Sequence, residues 1–128
     1  MTPLEIVNAF IAAVEAQDVD GAIEFLDPEV SYENVPIDPI VGRDGVAATL
    51  NGFLGPVSEV DWRVDGEWEV GRTVINERVD RFKIGDGWLE LPVAGFFEVS
   101  DAGLITLWRD YFDMGSYVAQ LEALTATG

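Results

Sequence analysis

Apolar residues recur at helical spacing from the start of the chain: Leu4, Val7, Ile11 and Val14 share one face of a helix that runs to about Gln17. Thr2, Pro3 and Glu5 supply an N-cap, a proline for the first turn and a capping-box acid. Asp18 or Asp20 can cap a short second helix through Ala22, Phe25 and Leu26, stopped by Pro28, and the two helices make a hairpin. Val30–Asn34 reads as a short strand, after which Pro36, Pro39 and Gly42 interrupt regular structure. The spacing of Val46, Leu50 and Phe53 predicts a third helix over Arg43–Leu54, ended by Gly55-Pro56.

The period then changes to two. Val60, Trp62, Val64, Trp68 and Val70 stand at even positions with Asp61, Arg63, Asp65, Glu67 and Glu69 between them, which predicts a half-buried strand with a charged outer face and a bend at Gly66. Gly71-Arg72, Gly85-Asp86-Gly87 and Ser100-Asp101-Ala102-Gly103 divide the rest into strands of similar length, the mark of an antiparallel meander. A last helix follows from about Met114 to Leu124. Helices first and a meander afterwards predict an α+β fold, with helices covering one face of a curved sheet.

Two of these strands break their own pattern. Asn76, Arg78, Asp80 and Phe82 share one face, so Arg78 and Asp80 are neighbours where burial would favour apolar side chains. In Trp108–Asp113, Asp110 sits between Trp108 and Phe112 on one face. The turns suggest how the two stretches meet. With Asp86-Gly87 as a two-residue loop, Asp80 lies across from Val93, and with Asp101-Ala102 as the next loop, so does Asp110. The outer strands of that row are roughly 10 Å apart, a span that an Arg and an Asp can bridge. A bulge at Gly103 would turn Asp110 to the opposite face. The apolar wall of Leu89, Leu91, Val93, Phe97 and Val99 argues against it, because Trp108 and Phe112 suit the same side. Trp62, Trp68, Trp88 and Phe53 are read as core.

Composition narrows the chemistry. A chain of 128 residues fits one domain, 1–128. It can bury roughly two thirds of its unfolded surface, enough for a cavity within the core. Its hydrophobic fraction of 48% against 24% charged is globular, and no apolar run approaches the roughly 20 residues of a membrane helix. With no secretory or lipidation signal visible, a cytoplasmic location is expected. A formal charge of −17 argues against nucleic acid and anionic membrane surfaces as partners. Having neither Cys nor His, the chain has no disulfide, no thiolate or imidazole metal ligand, no imidazole base and no cysteine nucleophile. Acid-base work falls on carboxylates, Tyr, the single Lys83 or water.

Carboxylates are disfavoured inside strands and buried pairs rarely repay their desolvation, so a role in chemistry is the stronger reason to keep Asp80 and Asp110; a structural ion pair is the competing reading. Bridged by Arg78, the two need not titrate alike: the guanidinium favours ionisation, while apolar burial and mutual repulsion favour one retained proton. One acid and one base can then protonate a leaving oxygen and activate water on its other side, which suggests addition of water to a strained or acetal-like C–O bond. Tyr32 and Asn34 share a face of their strand and, taken alone, read as hydrogen-bonded strand-end or turn residues.

Four runs in order along nearly the whole chain, Y-E-N-V-P at Tyr32–Pro36, G-R-D at Gly42–Asp44, E-R-V-D at Glu77–Asp80 and W-R-D-Y-F-D at Trp108–Asp113, together resemble the limonene-1,2-epoxide hydrolase family. The resemblance implies an NTF2-like or SnoaL-like cone: a strongly curved mixed, mostly antiparallel sheet with helices covering its concave face around an apolar pocket, in a homodimer formed through the sheet. It implies that Asp80 gives a proton to the epoxide oxygen, that Asp110 takes one from the attacking water, that Arg78 links the two, and that Tyr32 and Asn34 hold that water. The reaction would take one step, with no alkyl-enzyme ester and neither metal nor cofactor, turning an apolar, terpenoid-like epoxide into a vicinal diol. This chain begins at the first helix, without the N-terminal extension of some members, and carries Asn76 on the catalytic face. Two further readings fit the same residues: an isomerase or cyclase that moves a proton beside a carbonyl, and a noncatalytic binding or dimerisation module in which Arg78, Asp80 and Asp110 are structural.

Overall fold

The first helix starts where its capping residues put it. In the computed structural model, which describes residues 1–126, Thr2 Oγ1 accepts from the Glu5 N–H at 3.1 Å and Glu5 Oε1 accepts from the Thr2 N–H at 2.8 Å. Helix α1 then runs Pro3–Glu15 and buries Ile6, Val7, Phe10, Ile11 and Val14. Helix α2 is only Val19–Ile23, capped by the Asp18 side chain. Phe25 and Leu26 lie beyond it, because Leu26 already opens strand β1, Leu26–Val35, which starts earlier than Val30. Pro28 is tolerated there since ladder pairing is interrupted between Leu26 and Ser31. The remaining elements are β2 (Ile40–Val41), α3 (Arg43–Leu54), β3 (Glu59–Val70), β4 (Thr73–Ile84), β5 (Gly87–Val99), β6 (Ile105–Tyr111) and α4 (Met114–Thr125). None of the helices among the described residues is long and apolar enough to cross a membrane.

The six strands form one sheet in the order β2-β1-β6-β5-β4-β3. The meander from β3 to β6 is antiparallel, and β1 joins β6 in parallel, so the expected α+β class with a curved, mostly antiparallel sheet is the observed one. That parallel pairing brings the start of the chain to its end. Tyr32 stands opposite Trp108 and Asn34 opposite Asp110.

The register differs from the one the turns suggested. The β4–β5 loop is Gly85-Asp86 rather than Asp86-Gly87, as Ile84 faces Gly87, and Asp80 therefore pairs with Leu91 and Arg78 with Val93. Between β5 and β6, Val99 faces Ile105 across a longer loop, and one extra residue at Thr106 shifts the pairing again, setting Asp110 opposite Gly95. Two single-residue offsets leave the side-chain alternation unchanged. Asp110 thus keeps the expected face while its row becomes Asn76, Gly95 and Asp110.

A bulge in β3 overturns the expectation that Trp68 joins the core. Val64 pairs with Arg78 but Gly66 pairs with Glu77, so Asp65 is the extra residue and every side chain after it changes face. Trp62 stays buried, whereas Trp68 is 54% and Val70 66% exposed. Glu67 and Glu69 turn inward instead and accept from Asn8 Nδ2 and the Leu4 N–H at the edge of α1. Trp88 is half-buried on the outer face with the Arg81 guanidinium 4.3 Å from its ring, not part of the core either.

Inside, α1 lies over the sheet and Phe10 meets Trp108 edge-on at 5.0 Å and Phe97 at 6.4 Å. Phe10 is fully buried. Phe10→Ala is expected to cost about 3–5 kcal/mol of stability, read by urea denaturation; a loss below about 1 kcal/mol would show that α1 does not close the core.

Candidate active site

Alternation in β4 places Asn76, Arg78 and Asp80 on the inner face, and β6 brings Asp110 toward them across β5. All four are at most 4% exposed. Arg78 is the hub. Its Nε donates to Asp80 Oδ1 at 2.9 Å and its Nη2 to Asp80 Oδ2 at 3.0 Å, a bidentate pair, while Nη2 also donates to Asp110 Oδ2 at 3.0 Å. Nη1 donates to Asn76 Oδ1 at 2.9 Å. The plate lies 5.1 Å from the Trp62 ring centre and 6.0 Å from that of Phe97, in position for cation–π attraction.

Asp110 is held from its other side by Trp108, whose Nε1 donates to Oδ1 at 3.0 Å. Tyr32 stacks on the same Trp108 ring at 3.9 Å and 12° and is buried. Asn34 lies two residue pairs further along the strand, on the same face, and lines an apolar cavity of about 330 Å³ with Ala48, Gly52, Phe53, Phe112 and Tyr117. Phe53, expected in the core, is a cavity wall that stacks on Phe82 at 5.6 Å.

The electrostatics separate these groups. Burial pushes the Asp80 carboxyl up from its ordinary 3.8 to about 6; the charge and hydrogen bonds of Arg78 pull it down, and Asp110 and Glu15 add to the rise. Burial also raises Arg78's cost of carrying charge, but Asp110 and Asp80 outweigh it and hold the guanidinium protonated. Tyr32 is raised well above the ordinary phenol range by burial and by Asp110, against the pull of the Asn34 side chain and of Arg78. Its hydroxyl is a neutral donor and acceptor throughout the working range. Glu15 of α1 is raised by burial and accepts from the Trp62 N–H at 3.1 Å.

Arg78, Asp80 and Asp110 are in direct contact, with Tyr32 and Asn34 on the adjoining strand. Sequence reasoning missed Trp108 as the donor to Asp110 and Gly95 as the residue beneath the cluster. Both left a signal: Trp108 is two residues from Asp110 on its face, and Gly95 is the gap in the bulky run from Leu89 to Val99. Two buried side-chain nitrogens, Trp62 Nε1 and Asn76 Nδ2, have no partner among the described residues. Such a group costs about 1–3 kcal/mol, a sign that the arrangement is not tuned for stability alone.

The family model of the limonene-1,2-epoxide hydrolase catalytic domain matches residues 1–122. Over 108 residues the chain is 37% identical to epoxide hydrolase EphG of Mycobacterium tuberculosis, a match spanning 84% of this chain and 71% of that protein. A solved M. tuberculosis structure described as an LEH-like epoxide hydrolase superposes with a TM-score of 0.80 at 34% identity, over 95% of this chain and 90% of that one. An NTF2-like protein of unknown function from Burkholderia pseudomallei superposes with a TM-score of 0.79 at 18% identity, over 97% and 98% of the two chains, and speaks for the fold alone.

Because the folded protein keeps the Asp80 proton at pH values where the unfolded chain has released it, the stability Asp80 contributes is present below about pH 4 and lost as the pH rises through about 6. Asp80→Asn has no such proton to lose. Its stability relative to the unsubstituted protein should therefore rise by roughly 1–3 kcal/mol between pH 4 and pH 7 in a urea denaturation series. A difference that stays constant over that range would mean Asp80 titrates as an ordinary carboxyl.

Proposed function

The chain belongs to the limonene-1,2-epoxide hydrolase family, and we propose that it adds water to an apolar, terpenoid-like epoxide in one step by general acid-base catalysis. Asp80, whose carboxyl burial pushes up to about 6, is the general acid: it gives its proton to the epoxide oxygen as the C–O bond breaks. Asp110 is the base. It takes a proton from the water whose oxygen attacks the ring carbon, with Tyr32 and Asn34 orienting that water. Arg78 ties the two carboxylates together, and the proton gained by Asp110 must return to Asp80 before the next turnover. Both new C–OH groups of the vicinal diol are thereby accounted for without a covalent enzyme intermediate. The observation that carries this reading is that Asp80 and Asp110 share one guanidinium nitrogen in a buried, aromatic surround. The cavity beside Asn34, walled by Phe53, Phe112 and Tyr117, suits a hydrocarbon skeleton.

Incubation with cyclic and linear epoxides should give diols. Asp80→Asn and Asp110→Asn should each lower kcat by about 10² to 10⁴ with the fold retained. In a single turnover in ¹⁸O-water the label should enter the diol directly. Label found first in an aspartate, or full diol formation by either variant, would reject the mechanism.

We also propose a homodimer through the outer face of the sheet. There the β3 bulge sets Trp68 beside Ile75, Ile75 beside Phe96, and Phe96 packs on Tyr111 with ring centres 5.7 Å apart. A continuous apolar row, exposed at Trp68 and Tyr111 and half-buried at Ile75 and Phe96, marks a surface that another protein surface can cover. Phe96→Glu should shift the sedimentation coefficient from that of a dimer to that of a monomer; a protein that is monomeric before substitution would dismiss the idea.

A further inference from the structure

We infer that Asn76 is a positioning residue for the Asp80–Arg78–Asp110 cluster: its amide oxygen fixes the guanidinium corner that carries no carboxylate, in a space that exists because residue 95 is glycine. The placement stands on geometry, and its kinetic consequence rests on the epoxide hydrolase reading above.

A guanidinium is a rigid plate whose donors point in set directions. Arg78 spends Nε and Nη2 on the two carboxylates, and Nη2 serves both. Any swing of the plate in its own plane moves that shared nitrogen and changes how each carboxylate is held. Nη1 is the lever arm for such a swing, and Asn76 Oδ1 stops it at 2.9 Å. Asn76 is itself 1% exposed and stands in the same cross-strand row as Gly95 and Asp110. A Cβ on residue 95 would collide with Arg78 Nη1 and lie 2.6 Å from Asn76 Oδ1 and 3.1 Å from Asp110 Oδ1. The plate, the amide and the base therefore all occupy the volume that glycine leaves empty.

Charge explains why the stop is an amide. One cation already faces two acids, and a third carboxylate would disfavour ionisation of both. An apolar residue would remove the acceptor. Asn76 accepts without adding charge, at the expense of a buried Nδ2 with no partner among the described residues. An unpaired amide nitrogen is unfavourable, so its oxygen is what the site retains the residue for.

The test uses Asn76→Leu, Asn76→Ser, Asn76→Asp and Gly95→Ala, assayed on an epoxide that the unsubstituted protein hydrolyses, with thermal melts alongside. Asn76→Leu should keep its melting temperature and lose about 10- to 100-fold in kcat at constant KM. Asn76→Ser, whose hydroxyl can still accept, should recover part of that loss, and Gly95→Ala should lower kcat as Asn76→Leu does. Wild-type kcat in Asn76→Leu, or a fall in melting temperature with unchanged turnover per folded molecule, would overturn the proposal.

A second arm needs no substrate. The charged and titratable groups facing Asp80 are Arg78 on its own strand, Asp110 on β6, Tyr32 on β1 and Glu15 on α1, and these variants leave all of them in place. In ¹³C-carboxyl spectra, Asn76→Asp should raise the apparent titration midpoint of Asp80 by about one pH unit. An unmoved midpoint would show that residue 76 does not share the cluster. A protein that hydrolyses no epoxide would sink the functional reading while this arm still decides whether residue 76 belongs to the cluster.

Discussion

Taking Arg78 and two carboxylates out of water carries a penalty of several kcal/mol per ion, and an interior can hold them only where the charges and hydrogen bonds of the group offset it. The guanidinium meets that condition with bonds to Asp80, Asp110 and Asn76 and with the Trp62 and Phe97 rings close by. Every other feature of the site depends on this cation. Without it, two carboxyl groups would face the same apolar enclosure with no cation between them. With it in place, Asp80 is pushed up by burial to about 6 against the pull of Arg78, and the Asp110 carboxylate accepts from Trp108 Nε1 and Arg78 Nη2.

The sheet delivers these groups because three consecutive strands pass beneath them. Asn76, Arg78 and Asp80 are a run of alternate residues on β4, so one strand supplies the cation, one acid and the stop. Asp110 must reach over β5, and β5 is narrowest where it matters, at Gly95. On the far side β6 is flanked by β1 in parallel, which aligns Tyr32 with Trp108 and Asn34 with Asp110. The polar residues of β1 thus stand in register with the Trp108–Asp110 stretch, and Phe10 of α1 packs edge-on against Trp108.

Much of this was legible in the chain. The capping box, the Arg43–Leu54 helix and the alternation of β4 and β5 are local signals, and each appears where propensity and pattern put it. The union of Arg78, Asp80 and Asp110 followed from side-chain parity alone, which survived a wrong register because the errors on both ladders were even. What local pattern could not carry was anything set by an extra residue. Asp65 and Thr106 each add one, and nothing in their own identity marks a bulge. The role of Gly95 was visible only as a missing bulky side chain, and its reason lies in atoms from two neighbouring strands.

The bulge at Asp65 has consequences on both faces of the sheet at once. Strict alternation through β3 would carry Trp68 and Val70 into the interior beside Arg78's strand, where Val74 and Asn76 already fill the space under α1. One inserted residue sends the two apolar side chains outward and turns Glu67 and Glu69 toward the N-terminal end of α1, where they accept from Asn8 and from the free N–H of Leu4. A carboxylate at that position also complements the positive end of the helix. The same insertion leaves Trp68 in register with Ile75 and Phe96, so that the outer surface gains a continuous apolar row. A strand that began as the wall of a buried ionic site therefore ends as part of an exposed hydrophobic face, and a single backbone irregularity separates the two duties.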